Sequence, residues 1–205
     1  MANRIVTILL TLNLILFGGF LLRTTGSSGS AAAQSSTKSP NNDNKELQRL
    51  FEEDQSDREP PDGKSLDQAV MQARDLTRLS RVKELYAQNK LLTGADYYHA
   101  AMVLQHGDTP GDYLLAHEFC VVGISKGESR AKWLAAASED RFLMMIGRPQ
   151  RFGTQYLSVG ADSAFQLYKV DSDVTDKLRG MLDVPPLQIP KIPGVGLDKK
   201  KSVKR

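Results

Sequence analysis

The feature that most constrains this chain is an uncharged apolar run near its N-terminus, from Ile5 to Leu22. Its length lies between the apolar part of a signal peptide and a short transmembrane helix, which needs about 20 residues. Residues 1–23 are therefore predicted to be a signal sequence or signal anchor that takes no part in the folded domain.

The fate of this segment is left open by the residues around it. Ala31-Ala32-Ala33 offers a small-residue cleavage site, but it lies well beyond Leu22, and Arg23 follows the run directly. Arg4 and the amino terminus favour a cytoplasmic N-terminus under the positive-inside rule. The domain is therefore expected to be extracytoplasmic, either periplasmic or secreted, with cleavage and anchoring in the cytoplasmic membrane by residues 5–22 both open.

Charge is unevenly distributed along the chain. The net charge is +3, but residues 34–190 carry 19 basic and 23 acidic residues, so the basic excess belongs to the two ends. A folded nucleic-acid-binding domain concentrates positive charge on itself, so no nucleic-acid partner is expected. The single cysteine, Cys120, excludes an internal disulfide, and its apolar neighbours favour a buried position.

The rest of the chain divides into three parts. Residues 24–45 are rich in Ser, Gly, Ala and Asn and are predicted to be a flexible linker. Residues 46–188 are predicted to form a single helical domain. Residues 189–205, rich in proline, glycine and lysine, are predicted to be a disordered basic tail.

Apolar periodicity predicts a mainly α, α+β domain. Helices are expected from near residue 46, from a cap at Ser65 or Asp67 to about 89, and then over 95–106, 111–126 and 129–145. Their short connections favour packed antiparallel hairpins, loosely tetratricopeptide-like. Alternating residues over 154–159 and 165–170 predict a small β-hairpin, and a short helix follows from Asp173 or Thr175.

Four polar groups of residues look suited to chemistry. Asp54 and Arg58 are spaced i, i+4, which fits either a solvated ion pair or a site. Gln105 and His106 end a helix. Asp140 and Arg141 lie among apolar residues, where a structural ion pair is the expected arrangement.

The fourth group is the loop over residues 147–155, which presents amide and guanidinium donors. These donors either bind a carboxylate, phosphate or sugar or satisfy the loop's own backbone. No metal is expected, because His99 and His106 are poorly spaced for one site and a third convergent ligand is missing. No cofactor is predicted.

These groups, taken in order, resemble a bacterial family of unknown function. Its members share D-Q-x-x-R, Q-H, D-R and Q-x-[YF]-G-T-Q, and the resemblance covers residues 46–188. The matching residues are Asp54-Gln55-x-x-Arg58, Gln105-His106, Asp140-Arg141 and Gln150-x-Phe152-Gly153-Thr154-Gln155. Phe152 stands where Tyr is commoner, which would remove one hydroxyl. The family has no established activity, so the resemblance implies which residues to test.

Two functions of different classes follow. The first is a non-catalytic binding or interaction module, whose partner is a small molecule or a protein. Its candidate ligand-binding residues are Asp54, Gln55, Arg58, Gln105, Gln150, Gly153, Thr154 and Gln155. The second is an extracytoplasmic hydrolase or transferase, with His106 as general acid or base and arginine and glutamine donors for an anion. Its candidate catalytic residues are His106, Asp140 and Arg141.

Overall fold

A computed structural model describes residues 42–60, 63, 66–157 and 165–187. The predicted N-terminal segment, most of the linker, the hairpin turn and the basic tail lie outside these residues. Within the described residues no helix is both long and apolar enough to cross a membrane.

Six helices and one small sheet make up the described residues. The helices are α1 Lys45–Arg58, α2 Gln68–Ala87, α3 Gly94–Leu104, α4 Pro110–Ser125, α5 Ala131–Met145 and α6 Asp176–Met181. The strands are β1 Tyr156–Leu157 and β2 Gln166–Leu167. The prediction of a mainly helical domain with a small antiparallel sheet is therefore confirmed.

Side-chain caps fix where most of the helices begin. Thr93 starts α3 and Thr109 starts α4, each in a capping box that pairs the threonine with an aspartate three residues later. Asp67 caps α2 and Thr175 caps α6. Each is one of the two candidate caps that the sequence offered for its helix. These polar residues satisfy amide groups that a helix leaves unpaired in its first turn.

Helices α3, α4 and α5 form the centre of the fold, and α4 packs along both of the others. A Cβ on Gly94, at the start of α3, would lie 3.1 Å from the carbonyl oxygen of Gly123, near the end of α4. The two helices therefore run antiparallel and approach closely where both carry glycine. Leu104, Phe119 and Leu134 are buried between them, and so is Cys120, as predicted.

The sheet is antiparallel, with Tyr156 opposite Leu167. The prediction placed the strands correctly but made them too long within the described residues. Beyond these strands one backbone hydrogen bond of the ladder continues, from the N–H of Tyr168 to the carbonyl of Gln155 at 3.1 Å. The Nε2 of Gln150 donates to the carbonyl oxygens of Gln155 and Tyr168, both at 2.9 Å, and the Gln150 backbone pairs with the segment after β2. That segment therefore has Gln150 as its partner in place of a longer first strand.

Candidate functional site

The polar motif residues, although far apart in sequence, meet in one continuous network. Asp54 on α1 lies against His106, just after α3, with 3.5 Å between Oδ2 and Nε2. The carbonyl of Gln105 accepts a hydrogen bond of 2.6 Å from Arg141 on α5, which also contacts Gln155. The network therefore joins α1, α3, α5 and the loop after α5.

An ion-pair cluster between α1 and α2 forms one end of this network. Arg58 donates to Asp54 and to Asp75, both at 2.8 Å. Arg78 donates to Asp57 at 2.7 Å and to Asp75 at 2.6 Å. The Asp54–Arg58 pair has the predicted i, i+4 geometry, but it is buried rather than solvated, because α2 covers it.

Three of these residues, Asp57, Asp75 and Arg78, were missed by the sequence reasoning. Asp75 and Arg78 are spaced i, i+3, which indicated no more than a charged face on α2. Nothing in the sequence indicated that this face turns towards Asp54.

Asp54 and His106 have pKa values displaced in opposite directions. Burial raises the pKa of Asp54 to about 7, against the opposing effect of Arg58 and Arg78. Burial, reinforced by the guanidinium groups of Arg58, Arg141 and Arg78, holds the pKa of His106 well below its ordinary value. The imidazole is therefore neutral at neutral pH, and its Nε2 has no hydrogen-bond partner among the described residues.

The raised pKa of Asp54 predicts a pH dependence of stability. Because the folded chain binds this proton more tightly than the unfolded chain does, Asp54 makes the free energy of unfolding rise as pH falls from about 7 towards 4. The slope is at most about 1.4 kcal/mol per pH unit. Denaturant unfolding of wild type and Asp54→Asn across this range is the measurement. As pH rises, the free energy of unfolding of wild type should fall relative to that of Asp54→Asn. A difference between the two that does not change with pH would contradict the raised pKa of Asp54.

Asp140 organises the loop that follows α5. Its Oδ1 accepts the amide N–H groups of Arg151 at 2.6 Å and Phe152 at 2.9 Å. Its Oδ2 accepts the amide N–H of Thr154 at 3.0 Å and the hydroxyl of Thr154 at 2.8 Å. With four donors on two oxygens, this fully buried carboxylate is saturated and acts as the anchor of the loop.

Hydrogen bonds within the loop are made by Gln150 and Gln155, and Gly153 fixes its backbone path. The Oε1 of Gln150 accepts the amide N–H of Gln155 at 2.8 Å, and the Nε2 of Gln155 donates to Thr154 Oγ1 at 2.9 Å. Gly153 has φ +78°, and a Cβ there would lie 2.6 Å from Leu187 Cδ1. The candidate ligand-binding residues of this loop therefore satisfy the loop itself, which was the alternative left open by the sequence.

Asp140 and Arg141 do not form the ion pair that the sequence predicted. The Nε of Arg141 donates to Gln155 Oε1 at 3.1 Å and its Nη1 to the carbonyl of Gln105, whereas Asp140 faces the loop backbone. Adjacent residues of a helix point in directions about 100° apart, so the two side chains have separate surroundings. Burial lowers the pKa of Arg141, and no acidic residue in the described part of the chain forms an ion pair with it.

Most of the network is closed to solvent. Asp54, Asp140 and Gln150 are fully buried, and the side chains of Arg58 and His106 are only 7% and 6% exposed. Gln55 is half-buried and donates to Asp54 Oδ2 at 2.8 Å. The residues predicted as a site therefore do come together, but they form a sealed hydrogen-bonded network rather than the lining of an open cleft.

An open groove of about 810 Å³ lies at the edge of the network, between α1 and α2. Val70 and Ala73 give it an apolar side, and Asp57 and Arg78 connect it to the buried ion pairs. It does not reach His106 or the loop over residues 147–155. Its lining consists of Glu52, Glu53, Ser56, Asp57, Val70, Ala73, Arg74, Thr77 and Arg78.

The three histidines of the chain do not converge. The ring of His99 stacks on Phe51 with centroids 4.7 Å apart, and burial lowers its pKa. His117 contacts the carbonyl of Ala135 through Nδ1 at 2.9 Å. Among the described residues, no group of three or more His, Cys, Asp or Glu side chains is placed to hold a metal ion.

No family model, no curated protein and no solved structure matches this chain. The resemblance of its motif series to a bacterial family of unknown function stays a prediction. What the chain does has to be argued from the geometry of its own residues.

Proposed function

We propose that this chain is a non-catalytic binding module, held on the outer face of the cytoplasmic membrane by its N-terminal segment. The uncharged run Ile5–Leu22, with Arg4 and the amino terminus before it, supports the export part of the proposal. The partner is a small molecule or a protein. We also propose that the antiparallel helices form a tetratricopeptide-like scaffold and that the chain belongs to the family its motifs resemble.

The observation that carries the non-catalytic part is the saturation and burial of the motif side chains. Both carboxylate oxygens of Asp140 accept hydrogen bonds from the loop. The side-chain amide of Gln150 donates to the backbone carbonyl of Gln155 and accepts its N–H. A catalytic acid or base must reach a proton of a bound substrate, directly or through one water. Side chains that are fully hydrogen-bonded and covered support a scaffold that holds the helices and the loop in register.

Membrane topology is the first experimental test. The full-length chain, with a reporter enzyme that is active only outside the cytoplasm fused after Arg205, is expected to give activity. In spheroplasts the domain should be digested by added protease, and it should stay with the membrane in high salt. A second fusion carries, at the same position, a reporter that is active only in the cytoplasm. Activity of this second reporter, and none of the first, would contradict export.

A hydrolase or transferase is the second candidate, and one observation favours it. His106 is neutral, its Nε2 has no hydrogen-bond partner in the described part of the chain, and the carboxyl of Asp54 is 3.5 Å away with a pKa of about 7. Two groups with displaced pKa values side by side are typical of acid–base pairs in enzymes. In this role His106 would exchange a proton with substrate, and Arg141 would stabilise an anion.

His106→Ala separates the two candidates. If His106 is part of the scaffold, the substitution leaves a cavity among buried charges, and the free energy of unfolding is expected to fall by more than about 2 kcal/mol. If it serves catalysis, melting should be nearly unchanged. Thermal and denaturant unfolding of the purified full-length chain measure the difference, and His117→Ala, on a half-buried side chain of α4, serves as the control.

A further inference from the structure

We propose that Arg141 anchors a binding site for an oxyanion, the carboxylate or phosphate group of a small ligand, at the end of α3. The site is formed by Arg141 together with His106. It rests on the proposed binding function and gives that function a ligand class.

The first argument is the missing counter-ion of Arg141. The other buried arginines of the described residues each have a carboxylate: Arg58 has Asp54 and Asp75, Arg78 has Asp57 and Asp75, and Arg179 has Asp176. Among the described residues Arg141 contacts only the neutral acceptors Gln155 Oε1 and Gln105 O. A charge removed from water without a counter-ion is costly, and an anion bound from solution would relieve that cost.

The second argument is the number of donors still free. A guanidinium has five N–H groups, and Arg141 uses one on Nε and one on Nη1. The N–H groups that remain can make the paired, charge-assisted hydrogen bonds that carboxylates and phosphates accept. Arg141 keeps a small part of its surface exposed, whereas Asp140 beside it is fully buried.

His106 provides, within the described residues, a second buried group without a partner near the end of α3. Its side chain is 6% exposed, yet its Nε2 has no hydrogen-bond partner among the described residues. It follows Gln105, whose carbonyl accepts a hydrogen bond from Arg141, and burial, reinforced by the guanidinium groups of Arg58 and Arg141, lowers the pKa of the imidazole. A buried polar atom without a partner is rare in proteins and marks a place where a ligand or water completes the structure. The Nε2 lies 3.5 Å from Asp54 Oδ2, and in the proposed site the imidazole donates one N–H to the anion.

The test is thermal unfolding of the full-length chain in non-ionic detergent, in sodium phosphate, sodium acetate or sodium chloride at constant ionic strength. Phosphate or acetate is expected to raise the melting temperature over chloride by about 3 °C or more, saturating with concentration. A rise with phosphate alone identifies a phosphate-bearing ligand, and a rise with acetate alone identifies a carboxylate-bearing one. No rise over chloride with either anion would overturn the proposal.

Two variants locate the effect. Arg141→Met is expected to abolish the anion-dependent rise. In chloride it is expected to melt only slightly below wild type, because removing an uncompensated charge offsets the loss of the donors to Gln105 and Gln155. An Arg141→Met chain that melts well below wild type, or fails to fold, would make the guanidinium a structural element and overturn the proposal. Arg151→Met is the matched control, since this guanidinium lies on the loop after α5 and is 40% exposed.

The control is expected to keep the full rise. If Arg151→Met loses the rise and Arg141→Met keeps it, the anion binds elsewhere and the assignment is wrong. The assay uses purified chain and does not depend on topology, so a failure of export and a failure of anion binding give separate results.

Discussion

Replacing Asp140 with Ala is expected to lower the free energy of unfolding by about 4 kcal/mol or more, the largest effect of any single substitution considered. The carboxylate is fully buried and accepts three amide N–H groups and one hydroxyl. Without it, those donors are left unpaired in the interior, and each costs about 1–3 kcal/mol. Denaturant unfolding of the full-length chain, followed by circular dichroism, measures the loss.

The neighbouring residue gives a matched control. Glu139 is half-buried, and its ion pair with Arg151 is 3.6 Å long and partly exposed. Glu139→Ala is therefore expected to change the free energy of unfolding by less than about 1 kcal/mol. Similar losses in the two variants would show that Asp140 does not anchor the loop.

Arg179→Met is expected to give the second largest loss, about 3–4 kcal/mol. The side chain is 4% exposed and donates to Asp176 Oδ1 and to the carbonyl oxygens of Val174 and Phe152. These bonds hold α6 against the loop that Asp140 anchors. Methionine fills much of the space but leaves the carbonyl groups without donors, and thermal unfolding should show the cost.

The exposed Lys177 on the same helix supplies the comparison for Arg179. Lys177→Met changes the same kind of charge at the surface of α6, and the expected change in stability is within about 0.5 kcal/mol. If Arg179→Met were equally mild, α6 would not be held by its arginine, and the apolar contacts of Val174 and Val184 would have to hold it.

Most of the helices could be predicted from the sequence because their limits are set locally. Asp67 and Thr175 cap their own helices, and the apolar positions of α2 repeat with helical spacing. The end of a helix depends on residues close to it in sequence, so it can be predicted without knowledge of the tertiary structure. The two strands were predicted too long because the segment after β2 pairs with Gln150, five residues before Gln155, instead of with a longer first strand.

The residues of the network were predictable as a set, but their roles were not. Asp140 and Arg141 looked like a pair because they are adjacent and charged among apolar residues. Their partners are a backbone loop 11–14 residues later for Asp140 and the carbonyl of Gln105 for Arg141, 36 residues earlier. Such partners are fixed by how the helices pack, and no spacing rule in the sequence indicates them.

The most direct test of the scaffold is amide hydrogen exchange in the loop after α5. The amide groups of Arg151, Phe152 and Thr154 donate to Asp140, and that of Gln155 donates to Gln150. Although these residues belong to no helix or strand, they are expected to exchange as slowly as the core amides of α5, because a buried network holds them. Exchange at the rate of an exposed loop would contradict the claim that the polar motifs form one sealed scaffold.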